Sequence, residues 1–471
     1  MKFFPTLLVA LLLPPLAFAE GTDNVIDIDK AFEQSAEVEK LITLTSFPDR
    51  QYLITDYGAV ADDPDSPCHE AINMAITTCS LEGGGTVVVP EGTFYTGPIT
   101  LKSNVRLHVS EGATLKFSTD QSLYFPAVIT RWEGLDCYNA RPLIYAYGET
   151  NIAITGKGII DGQGSNEHWW YMCGAAHYGW QEGMVAQRNG GRERLLMWGE
   201  TSTPIYQRIM YPEDGMRPQL INFYLCRTVL IEDVTLLNSP FWVIHPLLCE
   251  SVIVRGVNVY NRGPNGDGCD PESCKNVLIE NCTFDTGDDC IAIKSGRNRD
   301  GRKWNIPSEN IIVRGCYMKN GHGGVVIGSE ISGGYRNLWV EDCKMDSPEL
   351  ERVIRIKTSA CRGGVIENVY VRNVEVGQCK EAVLRINLQY ENREVCDRNY
   401  PPTVRNVYLQ NVTCQKSKLG VLIIGLEDSV NVENINLTDC RFDGVAQSEN
   451  QISGAKDVRL SNVYINGELC E

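Results

Sequence analysis

From Val229 onward one eight-residue pattern returns again and again: alternating apolar residues, a single Asn, Asp or Gly, then a small apolar residue. It reads VLIEDVTL from Val229, VIVRGVNV from Val252, VLIENCTF from Val277 and IIVRGCYM from Ile311. It continues as LWVEDCKM from Leu338, VYVRNVEV from Val369, VYLQNVTC from Val407, INLTDCRF from Ile435 and VRLSNVYI from Val458, with an earlier relative, IAITGKGIID, at Ile152. Alternation at period two marks strands with one buried face, and the polar or Gly break marks a corner. Such units cannot close a core alone, but stacked they bury a continuous one. The pattern therefore predicts an all-β chain folded as a parallel β-helix. A leucine-rich repeat would need a leucine-dominated motif, and a propeller about four strands per 40–45 residues.

The repeat overrides the length prior. A chain of 471 residues would suggest about three domains, but a solenoid covering 51–471 is one. In front of it, residues 20–50 form an N-terminal extension with a short helix expected near Lys30 to Leu41. The stretch DYGAVADD, a helical AINMAITTC and GGGTVVVPEGTFYTGPITLKSNVRL are expected to cap the first coil. Residues 165–216 break the pattern, carry four Trp residues and are expected to form a long excursion beside one coil face.

Residues 1–19 have one Lys, an apolar run broken by Pro14 and Pro15, and Ala17-Phe18-Ala19 before Glu20. That is the form of a secretory signal peptide, so the chain is expected to be exported, to periplasm or medium, with no membrane attachment after cleavage. Export permits disulfides, and Cys68/Cys79, Cys269/Cys274 and Cys379/Cys396 are pairs of suitable spacing. Other cysteines belong to the repeat. Its sixth position holds Val234, Val257, Cys282, Cys316, Cys343, Val374, Val412, Cys440 and Val463, so Val and Cys exchange at a site that must point inward. Glycosylation sequons at Asn281, Asn411 and Asn436 fall within the same repeat and are expected to carry nothing. No cysteine or histidine cluster has metal-site spacing, and no cofactor or metal is expected. The net charge of −17 excludes non-specific binding to nucleic acid. An anionic ligand would require basic residues gathered locally. A monomer is expected.

Polar residues gather at one place on three consecutive coils: PNGDGCDPES (264–273), TGDDCIAIKS (286–295) and NGHGGVVIGS (320–329). Aligning Ser295 with Ser329 sets Asp288 beside His322, and aligning Ser273 with Ser295 sets Asp267 beside Asp289. Neighbouring strands lie about 4.8 Å apart, so these groups should stack in one groove. On the next coil, Arg355 and Lys357 share the outward face of RVIRIKTS while Ile354 and Ile356 point inward. Three carboxyls crowded together should raise the pKa of at least one of them, as acid and base catalysis requires.

The order of Asn265-Gly266-Asp267-Gly268, Gly287-Asp288-Asp289, Gly321-His322-Gly323 and Arg355-Ile356-Lys357 resembles glycoside hydrolase family 28, the polygalacturonases and their relatives. DYGAVADD, ITGKGIIDGQG and NSPFWVIHPLLCESV are also similar to that family, and the likeness covers roughly residues 52 to 465. It implies a single-stranded right-handed parallel β-helix of the pectin-lyase-like fold, and inverting hydrolysis of α-1,4-galacturonosidic bonds in a pectic polysaccharide. It implies Asp288 as general acid, Asp267 and Asp289 as the base pair on one water, His322 in support, and Arg355 and Lys357 on the substrate carboxylate. Asn265 joins them as a substrate contact. Inverting carboxyls ordinarily stand about 6.5–9.5 Å apart. Gly266 stands where the family commonly has Thr. Arg297 and Arg299, just after the GDD segment, are expected to add positive charge for the substrate. The 165–216 excursion and the bacterial character of SPFWVIHP point to exo-action. The alternatives are a rhamnogalacturonan-cleaving relative, a Ca²⁺-dependent lyase on the same fold, and a non-catalytic sugar-binding solenoid.

Overall fold

The computed structural model describes residues 27–390, 395–427 and 429–470; the expected leader, residues 1–19, lies outside them. The chain winds into a right-handed parallel β-helix. Every repeat start pairs with the next: Ile152 with Val229, Val229 with Val252, Val252 with Val277, Val277 with Ile311, and so on to Ile435 with Val458. Spacings between coils vary, yet this register does not.

Two left-handed backbone positions explain why. The polar break of each repeat, from Asp233 to Asn462, has φ between 51° and 64° and turns the strand through a corner. The residue just before each repeat start is left-handed too, and in six consecutive coils it is Asn: Asn276, Asn310, Asn337, Asn368, Asn406 and Asn434. Asn tolerates this conformation best among residues with a side chain. From Asn310 to Asn434 each amide donates to the oxygen of the Asn before it at 2.8–3.0 Å, forming an asparagine ladder along the solenoid. The inward sixth position is at most 2% exposed from Val234 to Val463, so its cysteines do form a buried column with valine. Of the sequon residues, Asn411 donates to Asn373 and Asn436 to Asn434.

The cysteine pairing differs from expectation. Cys396 bonds Cys361, 35 residues away, while Cys68, Cys79, Cys269, Cys274 and Cys379 are buried free thiols. The turn after Thr358 is met by the loop that follows the strand Ala382–Asn387, where the Tyr400 N–H donates to the Ala360 carbonyl, so Cys361 faces that loop rather than the Cys379 coil.

Both ends are closed. Helix His69–Leu81 lies over the first coils, and the strand Glu468–Cys470 turns back antiparallel on Val463–Ile465. The extension helix, Ile28–Glu39, lies on the outer face of the long sheet. There Phe32 and Val38 share an apolar cluster with Ile312 and the stacked rings of Trp339, Tyr370 and Tyr408. Among the described residues no helix is long and apolar enough to cross a membrane.

Candidate active site

The face opposite that helix carries the strands Ile291–Ile293, Val325–Gly328, Arg352–Lys357 and Ala382–Asn387 side by side. Ile291 pairs with Val325 and Cys269 bridges to Ile291, so Asp288 faces His322 and Asp267 lies one coil below Asp289. Val326 pairs with Arg355 and Gly328 with Lys357, and Ile354 and Ile356 are in the core. Two glycines permit the tight turns. A Cβ on Gly287 would lie 2.4 Å from the Gly263 carbonyl oxygen, and one on Gly266 would lie 2.6 Å from that same oxygen. A threonine at 266 would force this turn apart, which accounts for Gly there.

Asp267, Asp288 and Asp289 bring carboxylate oxygens within 4.8 Å of one another. A gap of this size is one that a single water can span with a hydrogen bond to each side. Their environments separate them. Burial, and then Asp288 beside it, push the Asp267 carboxyl up to about 8, against the pull of Lys294. Burial also opposes the charge on Asp288, but the His322 imidazole, with Nδ1 3.0 Å from Oδ1, outweighs it and holds Asp288 well below the ordinary carboxylate range. Asp289 is fully buried and is held low by Lys357, 2.6 Å away, and Arg355, at 3.2 Å. The Asp288 charge raises His322 to about 9. Lys294, Arg355, Lys357 and His322 thus supply the positive charge that a metal ion would otherwise bring to three clustered carboxylates.

Asp267, Asp288, His322, Lys294, Arg355 and Lys357 form the floor of a cavity of about 740 Å³, and Asp289 is buried behind Arg355 and Lys357. Six Arg and Lys residues and His322 line it, against five carboxyl groups, so the basic residues are gathered locally in an acidic protein. Asn265 and Arg297 also line the cavity, and Asn265 accepts a 2.7 Å hydrogen bond from the buried Arg217. Arg297 is 1% exposed and bonds Glu133 at 2.8 Å. Arg299 does not join them. It is exposed and donates to the Glu200 carbonyl at 3.0 Å, because the helix Asn298–Trp304 turns it outward against the helix Gly191–Glu200.

The 165–216 excursion packs as a wall. Leu195, Met210 and Met216 share a core with Trp132, Leu135 and Phe241, and Gln187, Arg188 and Arg192 face the cavity. A second part of the wall went unread in the sequence: the hairpin Val128–Trp132 with Leu135–Asn139, whose turn Glu133-Gly134 has φ of 42° and 81°. Two positive φ values in a two-residue turn, with alternating residues either side, are a hairpin signal. Arg131 bonds its cross-strand partner Asp136 at 2.9 Å and pins the hairpin to the coils through Glu272 at 3.1 Å. Lys294, Glu330, Trp242 and Tyr390 complete the cavity. Lys294 sat within TGDDCIAIKS, and its outward direction was legible from strand parity; Tyr390, beside Lys357, had no such signal.

Known proteins resemble this chain along much of its length. A "Probable polygalacturonase" of Vitis vinifera is 30% identical over 339 residues, 70% of this chain and 61% of that protein. An "Exo-poly-alpha-D-galacturonosidase" of Dickeya chrysanthemi is 26% identical over 94% of this chain and 76% of its own length. The crystal structure of an exopolygalacturonase from Thermotoga maritima superposes with a TM-score of 0.87 at 41% identity, covering 93% of this chain and 96% of that one. With residues 210–463 matching the family model for glycosyl hydrolases family 28, the chain belongs to that family of glycoside hydrolases.

Proposed function

We propose that this enzyme hydrolyses α-1,4-galacturonosidic bonds of polygalacturonate, with inversion, releasing galacturonate from the non-reducing end. The observation that carries this reading is the placement of Asp267, Asp288 and His322 on the floor of a cationic cavity with a wall at one side, with buried Asp289 clustered against both carboxyls. Asp267 and Asp289 hold one water between them and take its proton as it attacks. Asp288 protonates the leaving oxygen. In the free site Asp288 is ionised and its proton sits on His322. A substrate carboxylate paired with Arg355 and Lys357 cancels the charge that favours ionised Asp288, and substrate also excludes water. Both changes raise the Asp288 pKa, so the proton crosses the 3.0 Å contact from His322 and passes to the glycosidic oxygen. Asn265 and Arg297 offer polar contacts to the bound sugar.

Exo-action is supported by the wall: the helix Gly191–Glu200 and the Glu133 turn, joined by a 2.9 Å ion pair between Arg192 and Glu133, stand at the cavity edge. The enzyme acts as a monomer, exported by the leader at residues 1–19. The test is hydrolysis of a defined oligogalacturonide, with products and anomeric configuration followed by NMR. Monomer alone at early times, formed as the β-anomer, is expected. Early mixed oligomers would overturn exo-action, and initial α-anomer would overturn inversion. Faster cleavage of a rhamnogalacturonan oligomer would overturn the substrate.

A further inference from the structure

Beneath Asp267 lies a carboxyl that the proposed reaction does not use. Asp270 is 0% exposed, and neither of its oxygens has a hydrogen-bond partner. An ionised carboxylate without donors in a dry interior is among the costliest arrangements a fold can hold. The nearest cation is Lys294, whose Nζ lies 3.5 Å from Asp270, 3.6 Å from Asp267 and 3.2 Å from Glu330. One ammonium therefore faces three carboxyls, with the Trp242 ring 4.4 Å away on another side. Its shortest contact is to Glu330, which the Arg297 guanidinium approaches as well, at 3.5 Å. The remaining charge is too small to hold both Asp267 and Asp270 ionised.

We infer that Asp270 is a positioning residue that shares one proton with Asp267, so that a buried acid dyad, rather than a lone carboxylate, forms the lower half of the water-binding pair. In the resting site the dyad holds a single proton, Asp270 O–H donating to Asp267. When water attacks, its proton enters the dyad through Asp267, and the dyad returns to the resting state by releasing one proton to solvent. Asp270 touches neither water nor sugar in this scheme; it holds Asp267 in place and tunes it.

The surroundings of Asp270 fit this role. Burial, and then the like charge of Asp267 and Asp289, push Asp270 upward against the pull of Lys294, so both carboxyls of the dyad favour the protonated form. On the coil below, the register of Cys269 with Ile244 sets Asp270 beside His245, whose Nε2 is taken by Glu272 at 3.0 Å and whose Nδ1 lies 3.1 Å from the Asn222 amide nitrogen. Glu272 in turn is bonded by Arg131. On the coil above, the equivalent place is Ala292, which offers no charge. No described neighbour other than Lys294 and Asp267 is placed to relieve the Asp270 oxygens.

This inference rests on the reading of Asp267 as half of the water-activating pair, and two measurements separate their fates. The first needs no substrate: infrared difference spectra of wild type and Asp270→Asn at neutral pH. Wild type should show a protonated-carboxyl stretch that Asp270→Asn lacks, because the amide donates to Asp267 and leaves it ionised. A band that persists unchanged in Asp270→Asn, or is absent from wild type, overturns the dyad whatever the substrate proves to be. The second is the pH profile of kcat/KM on oligogalacturonide. In Asp270→Asn an amide N–H takes over from the neutral Asp270 O–H as donor to Asp267, so the acid limb should stay near its wild-type position. In Asp270→Leu, which leaves Asp267 without that donor, it should move up by about one pH unit. Asp270→Leu, which has no donor, should lose about tenfold or more in kcat with an unchanged thermal midpoint. An acid limb that stays in place in Asp270→Leu would assign the residue to packing alone. Absence of hydrolysis in wild type with the infrared difference intact would instead overturn the functional reading and leave the dyad standing.

Discussion

His322 Nδ1 and Asp288 Oδ1 lie 3.0 Å apart across two adjacent coils, and each holds the other in its charged form. The histidine pKa is raised to about 9, so this side of the pair is intact below the ordinary histidine value and is lost as pH climbs through about 9. The aspartate pKa is depressed, so its side is present above the ordinary carboxylate value and lost as pH falls through the depressed one. An NMR titration of the His322 ring should give a midpoint near 9 in the wild type. In Asp288→Asn the midpoint should fall to about 6.5 or below. A wild-type midpoint in the ordinary range would remove His322 as the store of the acid's proton.

Asp288→Asn, Asp267→Asn and Asp289→Asn should each lower kcat by about 10²–10⁴-fold, since in the proposed reaction each removes a group that moves or holds a proton in the transition state. The losses should not add in a double variant of Asp267 and Asp289, because the two act on one water. Reducing-sugar release from polygalacturonate measures both.

Arg355→Ala and Lys357→Ala should raise KM for galacturonate oligomers by about 10–100-fold, the worth of a charge-assisted hydrogen bond at 1.5–3 kcal/mol. Lys357 also holds Asp289 at 2.6 Å, so its variant should lose kcat as well, whereas the looser 3.2 Å contact of Arg355 predicts an effect mainly on KM. Steady-state kinetics on the same oligomer with its acids methyl-esterified should narrow the gap between wild type and Arg355→Ala.

Stability should follow the ladders. Cys316→Val should change stability by less than about 1 kcal/mol, because valine occupies the equivalent inward position on other coils and has similar volume. Cys316→Asn should cost about 2–4 kcal/mol by burying an amide without partners. Asn337→Ala removes two ladder hydrogen bonds and leaves a non-glycine residue at φ 66°, at a cost of about 1–3 kcal/mol. Apparent midpoints of thermal unfolding rank the three.

The coil register was legible because strand parity and the Asn, Asp or Gly break are local signals, and they suffice to place Asp288 beside His322 and Arg355 beside Lys357. The asparagine ladder was equally local, one residue ahead of each repeat start, but it shows only when a left-handed conformation is asked of that position. What stayed hidden depends on distant approach. The Cys361–Cys396 bond follows from where a loop re-enters the coil, and Arg299 points away because a short helix turns it. The pressure on Asp267 comes from burial together with the Asp288 charge, against the pull of Lys294, and motif spacing carries no information about burial. The Glu133 hairpin reaches the cavity across more than 160 residues, to Arg297.

The constant register between coils of unequal length has a consequence for how this scaffold tolerates change. The catalytic groups are indexed by backbone pairing, as teeth on a rack, while the connecting loops hang outside the count. Lengthening a loop therefore leaves the distance from Asp288 to His322 untouched, whereas deleting one residue from the strand Ile291–Ile293 would turn Lys294 from the cavity into the core. Substrate range and chemistry can thus drift independently: the walls by insertion, the floor only by point substitution.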